Sequence, residues 1–127
     1  MNKVRKMIAV ALVVLSVFSV SAVAFASSYT FNNKLIYGGP SQNIVTLRRE
    51  RSINIEQRVD KVRMNGQSGW KLRGYSNGQA CTAVTTIGGT GNWLANFISY
   101  PTYVAFYESI ASSSSAAYLS FDGTVYA

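Results

Sequence analysis

"KVRMNGQSGWKLRGY", residues 61–75, is the stretch that decides the fold class of this chain. Apolar and charged residues alternate on both sides of Asn65-Gly66. A period of two is typical of β-strands with one buried face, and Asn-Gly is a strong signal for a tight turn. The stretch therefore predicts a β-hairpin. Trp70 and Leu72 share one face of it, and Lys71, Arg73 and Tyr75 share the other.

The rest of the chain shows short apolar runs separated by Gly-, Asn- and Ser-rich turns, which is typical of all-β proteins. Only residues 53–64 are ambiguous, and there we expect strands with room for one helical turn. We expect 102–107 to be a central strand and Asp122-Gly123 a turn or bulge. The fold class predicted is a small antiparallel β-sandwich or barrel-like domain over residues 27–127. Further strands are predicted at residues 28–31, 34–37, 43–47, 80–87 and 117–127.

The first 26 residues have the layout of a secretory signal peptide. Three basic residues in "MNKVRK" precede an uncharged apolar run, Met7–Ala26, which closes on Ala24-Phe25-Ala26. A basic start, an apolar middle and small residues at Ala24 and Ala26 are the features that signal peptidase requires. The alternative is an uncleaved membrane anchor. We expect cleavage before Ser27 and secretion, most simply from a Gram-positive bacterium, of one domain spanning 27–127.

Basic residues are concentrated in the first half of this domain. Three of the twelve Lys/Arg lie within residues 1–26, so residues 27–127 contain nine basic and five acidic side chains, a net charge of +4. Eight of the nine basic residues lie between positions 48 and 73, and none follows position 73. The second half is nearly uncharged and rich in aromatic residues, Ser and Gly. An anionic partner would therefore meet the first half.

Several chemistries are excluded by residue type. The chain has no histidine and a single cysteine, Cys81, so neither an imidazole-assisted nucleophile nor a Cys/His metal cluster can form. The five acidic residues are scattered, and Glu50, Glu56 and Asp60 lie among Arg and Lys, where ion pairing is expected. We therefore expect no enzymatic activity, no cofactor and no metal. Cys81 lies in an apolar run and is expected to be buried.

The basic segment is the first candidate site. One interpretation is that these side chains only solubilise the sheet and protect its edges, with the acidic residues as partners. The other is that they attract an anionic surface, at about 1 kcal/mol per basic residue close to it. The candidate binding residues are Arg48, Arg49, Arg51, Arg58, Lys61, Arg63, Lys71 and Arg73.

The aromatic segment Trp93–Tyr107 is the second candidate. It contains six aromatic residues in fifteen, of which a two-layer fold would bury about half. Those left exposed can contact sugars or a membrane interface, although packing within the sheet is the simpler alternative. The candidate binding residues here are Trp93, Tyr100 and Tyr103.

In size and plan the chain resembles small secreted proteins of Gram-positive bacteria, including some cationic bacteriocins. The resemblance rests on "AFASSYTF", "NGQSGW", "GTGNW" and "DGTVY". We expect a secreted, non-enzymatic binding protein whose partner is a cell-wall polymer or an anionic membrane surface, without sequence-specific nucleic-acid binding. The alternatives are a bacteriocin-like antimicrobial protein and an inhibitor of a secreted hydrolase, which would be a protein partner.

The signal-peptide interpretation predicts the N-terminus of the released protein. When the full chain is expressed in a Gram-positive host, the intact mass of the protein in the culture medium should correspond to residues 27–127. Material that stays with the membrane and retains Met1 would instead support the uncleaved anchor.

Overall fold

The structure is a computed structural model that describes residues 26–114 and 116–127, and within these residues every regular element is a β-strand. The predicted all-β class is confirmed. The proposed signal peptide lies outside the described residues except for Ala26. The strands are β1 (Ser28–Tyr37), β2 (Gln42–Arg48), β3 (Asn54–Met64), β4 (Trp70–Ser76), β5 (Gln79–Ala80), β6 (Thr85–Ile87), β7 (Gly91–Asn96), β8 (Tyr103–Ile110) and β9 (Tyr118–Tyr126).

The strands form two antiparallel sheets that face each other. The four-stranded sheet has the order β1-β9-β3-β7, and the five-stranded sheet has the order β2-β8-β4-β5, with β6 also paired to β4. Apolar side chains from the inner faces of both sheets form one core, in which the rings of Trp70 and Phe121 stack with their centroids 5.8 Å apart. No helix in the described residues is long and apolar enough to cross a membrane.

The two sheets are also joined along one side. Thr82 and Phe97 form an isolated antiparallel bridge, and the backbone N–H of Ala83 donates to the carbonyl oxygen of Asn96 over 2.8 Å. These residues connect the segment between β5 and β6 to the end of β7. The architecture is thus a sandwich that is partly closed on this side.

The hairpin predicted for residues 61–75 is wrong. β3 pairs with β7 and β9, whereas β4 pairs with β5, β6 and β8. The segment between Met64 and Trp70 therefore carries the chain from one sheet to the other. Five residues can span the roughly 10 Å between packed sheets. The predicted faces are nevertheless correct, because Trp70 and Leu72 are buried and Lys71 is exposed.

Two other segments differ from the predictions in detail. The ambiguous residues 53–64 contain one continuous strand from Asn54, without a helical turn. Residues 80–87 are not one buried strand, because Cys81 and Thr82 are buried while Ala83 and Val84 are exposed between β5 and β6. The predicted central position of residues 102–107 is confirmed, since β8 lies between β2 and β4.

Gly123 is the point at which the four-stranded sheet bends. Each neighbour of β9 has one extra residue here, in β1 between Phe31 and Lys34 and in β3 between Val59 and Lys61. A Cβ atom on Gly123 would overlap the carbonyl oxygen of Arg58 on β3. The predicted irregularity at Asp122-Gly123 therefore exists, but the extra residues lie on the two neighbouring strands.

A polar cluster lies in the core between the sheets. Glu108 on β8 is completely buried, and its Oε1 accepts hydrogen bonds from the indole Nε1 of Trp70 over 2.6 Å and from Nε2 of Gln57 over 3.3 Å. Gln57 belongs to β3, so the carboxyl group links the two sheets. Two buried oxygens of the cluster, Gln57 Oε1 and Glu108 Oε2, have no partner among the described residues.

Burial away from water raises the pKa of Glu108 from 4.5 to about 8, although the hydrogen bonds from Trp70 and Gln57 and the charge of Lys34 act in the opposite direction. The carboxyl group is therefore protonated at neutral pH. A proton on the carboxyl group also removes the negative charge from Oε2, a buried oxygen without a partner among the described residues. Neutral Glu108 thus suits the cluster better than the carboxylate.

This pKa predicts that the protein becomes less stable as the pH rises. Between about pH 4.5 and 8 the folded chain holds a proton on Glu108 that the unfolded chain has lost. The free energy of unfolding should therefore fall through this window, by on the order of 1 kcal/mol per pH unit, and level off above it. Urea denaturation at pH 5, 6, 7 and 8 measures the slope.

Glu108→Gln should flatten that slope, because the amide is neutral, keeps an acceptor for Trp70 and offers a donor to Gln57. The variant should be more stable than the wild type at pH 8. Glu50→Gln is the control, since Glu50 is an exposed acid and its change should preserve the slope. A wild-type stability that is constant from pH 5 to 8 would contradict a neutral Glu108.

Candidate functional site

The eight basic candidate residues do not share one face. Three lie on β3 of the four-stranded sheet, two lie in the connection between β2 and β3, and three lie on strands of the five-stranded sheet. A single binding surface can therefore use only some of them. In that order, the groups are Arg58, Lys61 and Arg63; Arg49 and Arg51; and Arg48, Lys71 and Arg73.

On the four-stranded sheet, two of the three basic candidate residues are paired with acids, whereas Lys61 takes part in none of the ion pairs among the described residues. Arg58 Nε lies 3.1 Å from Asp60 Oδ1, and Arg63 Nη2 lies 3.4 Å from Asp122 Oδ2. The backbone N–H of Asn33 donates to Asp122, and this bond, together with Arg63, holds the pKa of Asp122 below its ordinary value. Much of the positive charge on this surface is thus balanced locally.

In the β2–β3 connection, the two arginines are held by the protein itself. Arg49 Nε donates to the carbonyl oxygen of Pro101 over 2.7 Å, and its guanidinium group lies 5.5 Å from the ring centroid of Tyr100. Arg51 donates to both oxygens of Asn54 and forms an ion pair with Glu56 at 3.2 Å. These contacts give both side chains a structural role.

The five-stranded sheet brings the remaining basic residues together with tyrosines. On β8, Tyr103, Ala105 and Tyr107 alternate with buried residues, so they point outward. Cross-strand pairing places Arg48 beside Tyr103, Arg73 beside Tyr107, and both Thr46 and Tyr75 beside Ala105. We call this outer surface the tyrosine–arginine face. Its members are Thr46, Arg48, Lys71, Arg73, Tyr75, Tyr103, Ala105 and Tyr107.

No carboxylate lies on this face. The one acid in β2, β4 and β8 is Glu108, which points into the core. None of the three ion pairs among the described residues involves Arg48, Lys71 or Arg73. The face therefore has three positive charges that form no ion pair with an acid in the described part of the chain.

Arg73 is held in place but still has nitrogens available. Its Nε donates to the carbonyl oxygen of Thr82 over 3.0 Å, and its guanidinium carbon lies 5.9 Å from the ring centroid of Tyr75. Within the described residues, no other hydrogen bond of this side chain is found, so its terminal nitrogens can bind an anion. Lys71 lies two residues away on the same face of β4.

Two adjoining depressions mark the tyrosine–arginine face. The larger has a volume of about 460 Å³ and is lined by the three tyrosines, Ala105 and polar residues of the β4–β5 turn. The smaller, of about 160 Å³, is lined by Lys71 and Arg73. Tyr75 and Tyr107, whose ring centroids are 4.9 Å apart, contribute to both.

The three aromatic candidates occupy separate places. Tyr103 is 45% exposed and belongs to the tyrosine–arginine face. Tyr100 is 63% exposed and packs against Phe97 in the β7–β8 connection, with ring centroids 5.8 Å apart. Trp93 is half-buried on β7 and donates from Nε1 to the carbonyl oxygen of Gly89. Of the three, only Tyr103 lies on the tyrosine–arginine face, whereas Tyr100 lies beside Arg49, whose Nε is bonded to Pro101.

Tyr75 and Tyr107 are site residues that the sequence-based candidates did not include. The sequence does place them on the same strand faces as the candidates, because side chains two residues apart on a strand lie on the same side. Tyr75 lies two residues after Arg73, and Tyr107 lies four residues after Tyr103. What the sequence did not reveal is that β4 and β8 are neighbours. That pairing brings the two tyrosines into contact.

The residue types that most often bind metals or act as nucleophiles are sparse among the described residues. No group of three or more His, Cys, Asp or Glu side chains among the described residues lies close enough to hold a metal ion. Cys81 is buried, as expected from its apolar surroundings, and burial raises the pKa of its thiol. A thiol of this kind is a poor nucleophile.

Comparison with protein-family models, with curated proteins and with solved structures finds no match to this chain.

Proposed function

We propose that this chain is a secreted, non-enzymatic binding protein that attaches to an anionic extracellular polymer, such as a cell-wall polymer, through the tyrosine–arginine face. The observation that carries the proposal is the separation of charge. Three basic side chains lie on the five-stranded sheet without a carboxylate, whereas Arg58, Arg63 and Arg51 are paired with acids elsewhere. Unpaired cations at fixed positions attract polyanions.

The tyrosines favour a polymer over a membrane. A surface that inserts into a lipid interface buries apolar side chains such as Leu, Phe or Trp. The aromatic residues of the tyrosine–arginine face are all tyrosines, each with a hydroxyl group, and their neighbours are Arg, Lys, Thr and Ala. Of the exposed aliphatic residues, Ile53, Leu94 and Ile98 lie outside this face, and only Val84 borders its smaller depression.

Binding without catalysis fits the placement of the acidic residues. A general acid or base must reach its substrate. Glu108 is closed within the core, and Glu56, Asp60 and Asp122 are engaged by arginines. The exposed Glu50 lines neither depression of the face. The face itself offers tyrosine hydroxyls and cations, which recognise a ligand without a base to activate a nucleophile.

Neutralising the basic pair of the face should weaken binding. We expect Lys71→Gln/Arg73→Gln to reduce co-sedimentation of the secreted protein with purified cell walls at low salt by roughly 30-fold, because each cation contributes about 1 kcal/mol near an anionic surface. Raising the salt to 0.5 M should weaken wild-type binding in the same direction.

Lys61→Gln/Arg63→Gln is the matched control, since it removes the same charge from the other sheet. At about 0.15 M salt this variant should bind within about threefold of the wild type, because charges farther from the polymer than the Debye length of about 8 Å are largely screened. Equal losses in both variants would show that net charge alone matters. Binding to anionic vesicles but not to cell walls would contradict the polymer proposal and indicate that the tyrosine–arginine face binds a membrane.

A further inference from the structure

The larger depression of the tyrosine–arginine face lies where the small side chain of Ala105 is surrounded by the large side chains of tyrosines. Ala105 forms its floor. Tyr103 and Tyr107 stand two residues away on either side along β8, and Tyr75 lies opposite Ala105 on β4. Each tyrosine ring therefore rises beside a position with no side chain beyond Cβ. The result is a slot with aromatic walls rather than a flat surface.

The chemistry of the slot suits a sugar ring. Tyrosine rings offer apolar faces, and the rim carries hydroxyl and amide groups from Ser41, Thr46, Ser76 and Asn77. A pyranose has C–H groups on its faces and hydroxyl groups around its edge, so it can stack on a ring and bond to the rim at once. The volume of about 460 Å³ lies in the usual range for ligand sites, roughly 300–1,000 Å³.

A separate place for an anionic group adjoins the slot. The smaller depression contains Lys71 and Arg73 and shares Ser41, Tyr75 and Tyr107 with the larger one. Arg73 and Tyr75 are two residues apart on β4, which corresponds to roughly 7 Å along the strand. The two depressions can therefore hold neighbouring parts of one ligand.

The slot itself contains no cation. Its lining residues are tyrosines, small residues and polar uncharged residues, and the basic side chains lie in the adjoining depression. A polyanion without sugars would leave the slot unused, and a neutral glycan would leave Lys71 and Arg73 unused. The ligand that uses both is a glycan with anionic substituents.

We propose that the slot above Ala105 is a saccharide subsite, so that the tyrosine–arginine face recognises an anionic glycan by holding a sugar ring between its tyrosines and the neighbouring anionic group at Arg73 and Lys71. This inference rests on the proposed function and adds the ligand class. Charge attracts the polymer, and the slot selects for sugar.

The test fills the slot without changing the charge. Ala105→Leu places a larger apolar side chain on the floor of the depression, and Tyr103→Ser removes one wall at an exposed position. Ala111→Leu is the matched control, because Ala111 is exposed just after β8 and lies outside both depressions of the face. Thermal unfolding of each variant checks that the fold is retained.

Two probes are compared for the secreted protein at low salt, namely the anionic polysaccharide fraction of purified cell walls and inorganic polyphosphate, which contains no sugar. We expect the wild type to prefer the polysaccharide. Ala105→Leu and Tyr103→Ser should each weaken polysaccharide binding about tenfold, the loss typical of an important interface residue, and leave polyphosphate binding unchanged. Ala111→Leu should behave like the wild type with both probes.

The remaining outcomes separate the two proposals. Equal affinity of the wild type for both probes, with no effect of Ala105→Leu or Tyr103→Ser, would overturn the saccharide subsite and leave a charge-based binding protein. A wild type that binds neither probe nor intact cell walls would overturn the proposed function and the subsite together.

Discussion

A carboxyl group held between two sheets constrains the rest of this structure. Glu108 accepts hydrogen bonds from Trp70 on the neighbouring strand and from Gln57 on the opposite sheet, with no exposure to solvent. An acid can occupy such a place only when it is neutral or fully hydrogen-bonded, so the register of β8 is narrowly defined. Because side chains alternate along a strand, the same register turns Tyr103 and Tyr107 outward. The buried position of Glu108 therefore determines which side chains of β8 lie on the outer surface.

The inward position of Glu108 also determines where negative charge is found. It removes the only acid of β2, β4 and β8 from their outer surface, and the other sheet holds ion pairs such as Arg63–Asp122. The opposite surfaces of one small sandwich therefore differ in chemical character. On the four-stranded sheet two arginines are paired with acids, and the five-stranded sheet presents cations and phenol rings together.

The sequence predicted which side of a strand each residue lies on better than it predicted which strands pair with each other. Alternation is local, so the buried side of Trp70 and Leu72 followed directly, and the same rule would have placed Glu108 inward with Phe106. Partners are not local, since Trp70 pairs with Ile110, forty positions away. Asn65-Gly66 predicted a reversal but not whether the chain returns to the same sheet. The tyrosine–arginine face depends on that pairing, which is why only part of it was found.

Strand order also governs when the fold can be completed. The central positions of the two sheets are held by β3 and β9 and by β4 and β8, and β8 and β9 are the last two of the described strands along the chain; β1 pairs with β9. Earlier strands therefore wait for partners that leave the ribosome last, and pairings of long sequence separation close slowly. Until β9 emerges, β1 and β3 have no common neighbour. The two described sheets therefore cannot be completed until the segments that form β8 and β9 have been synthesised.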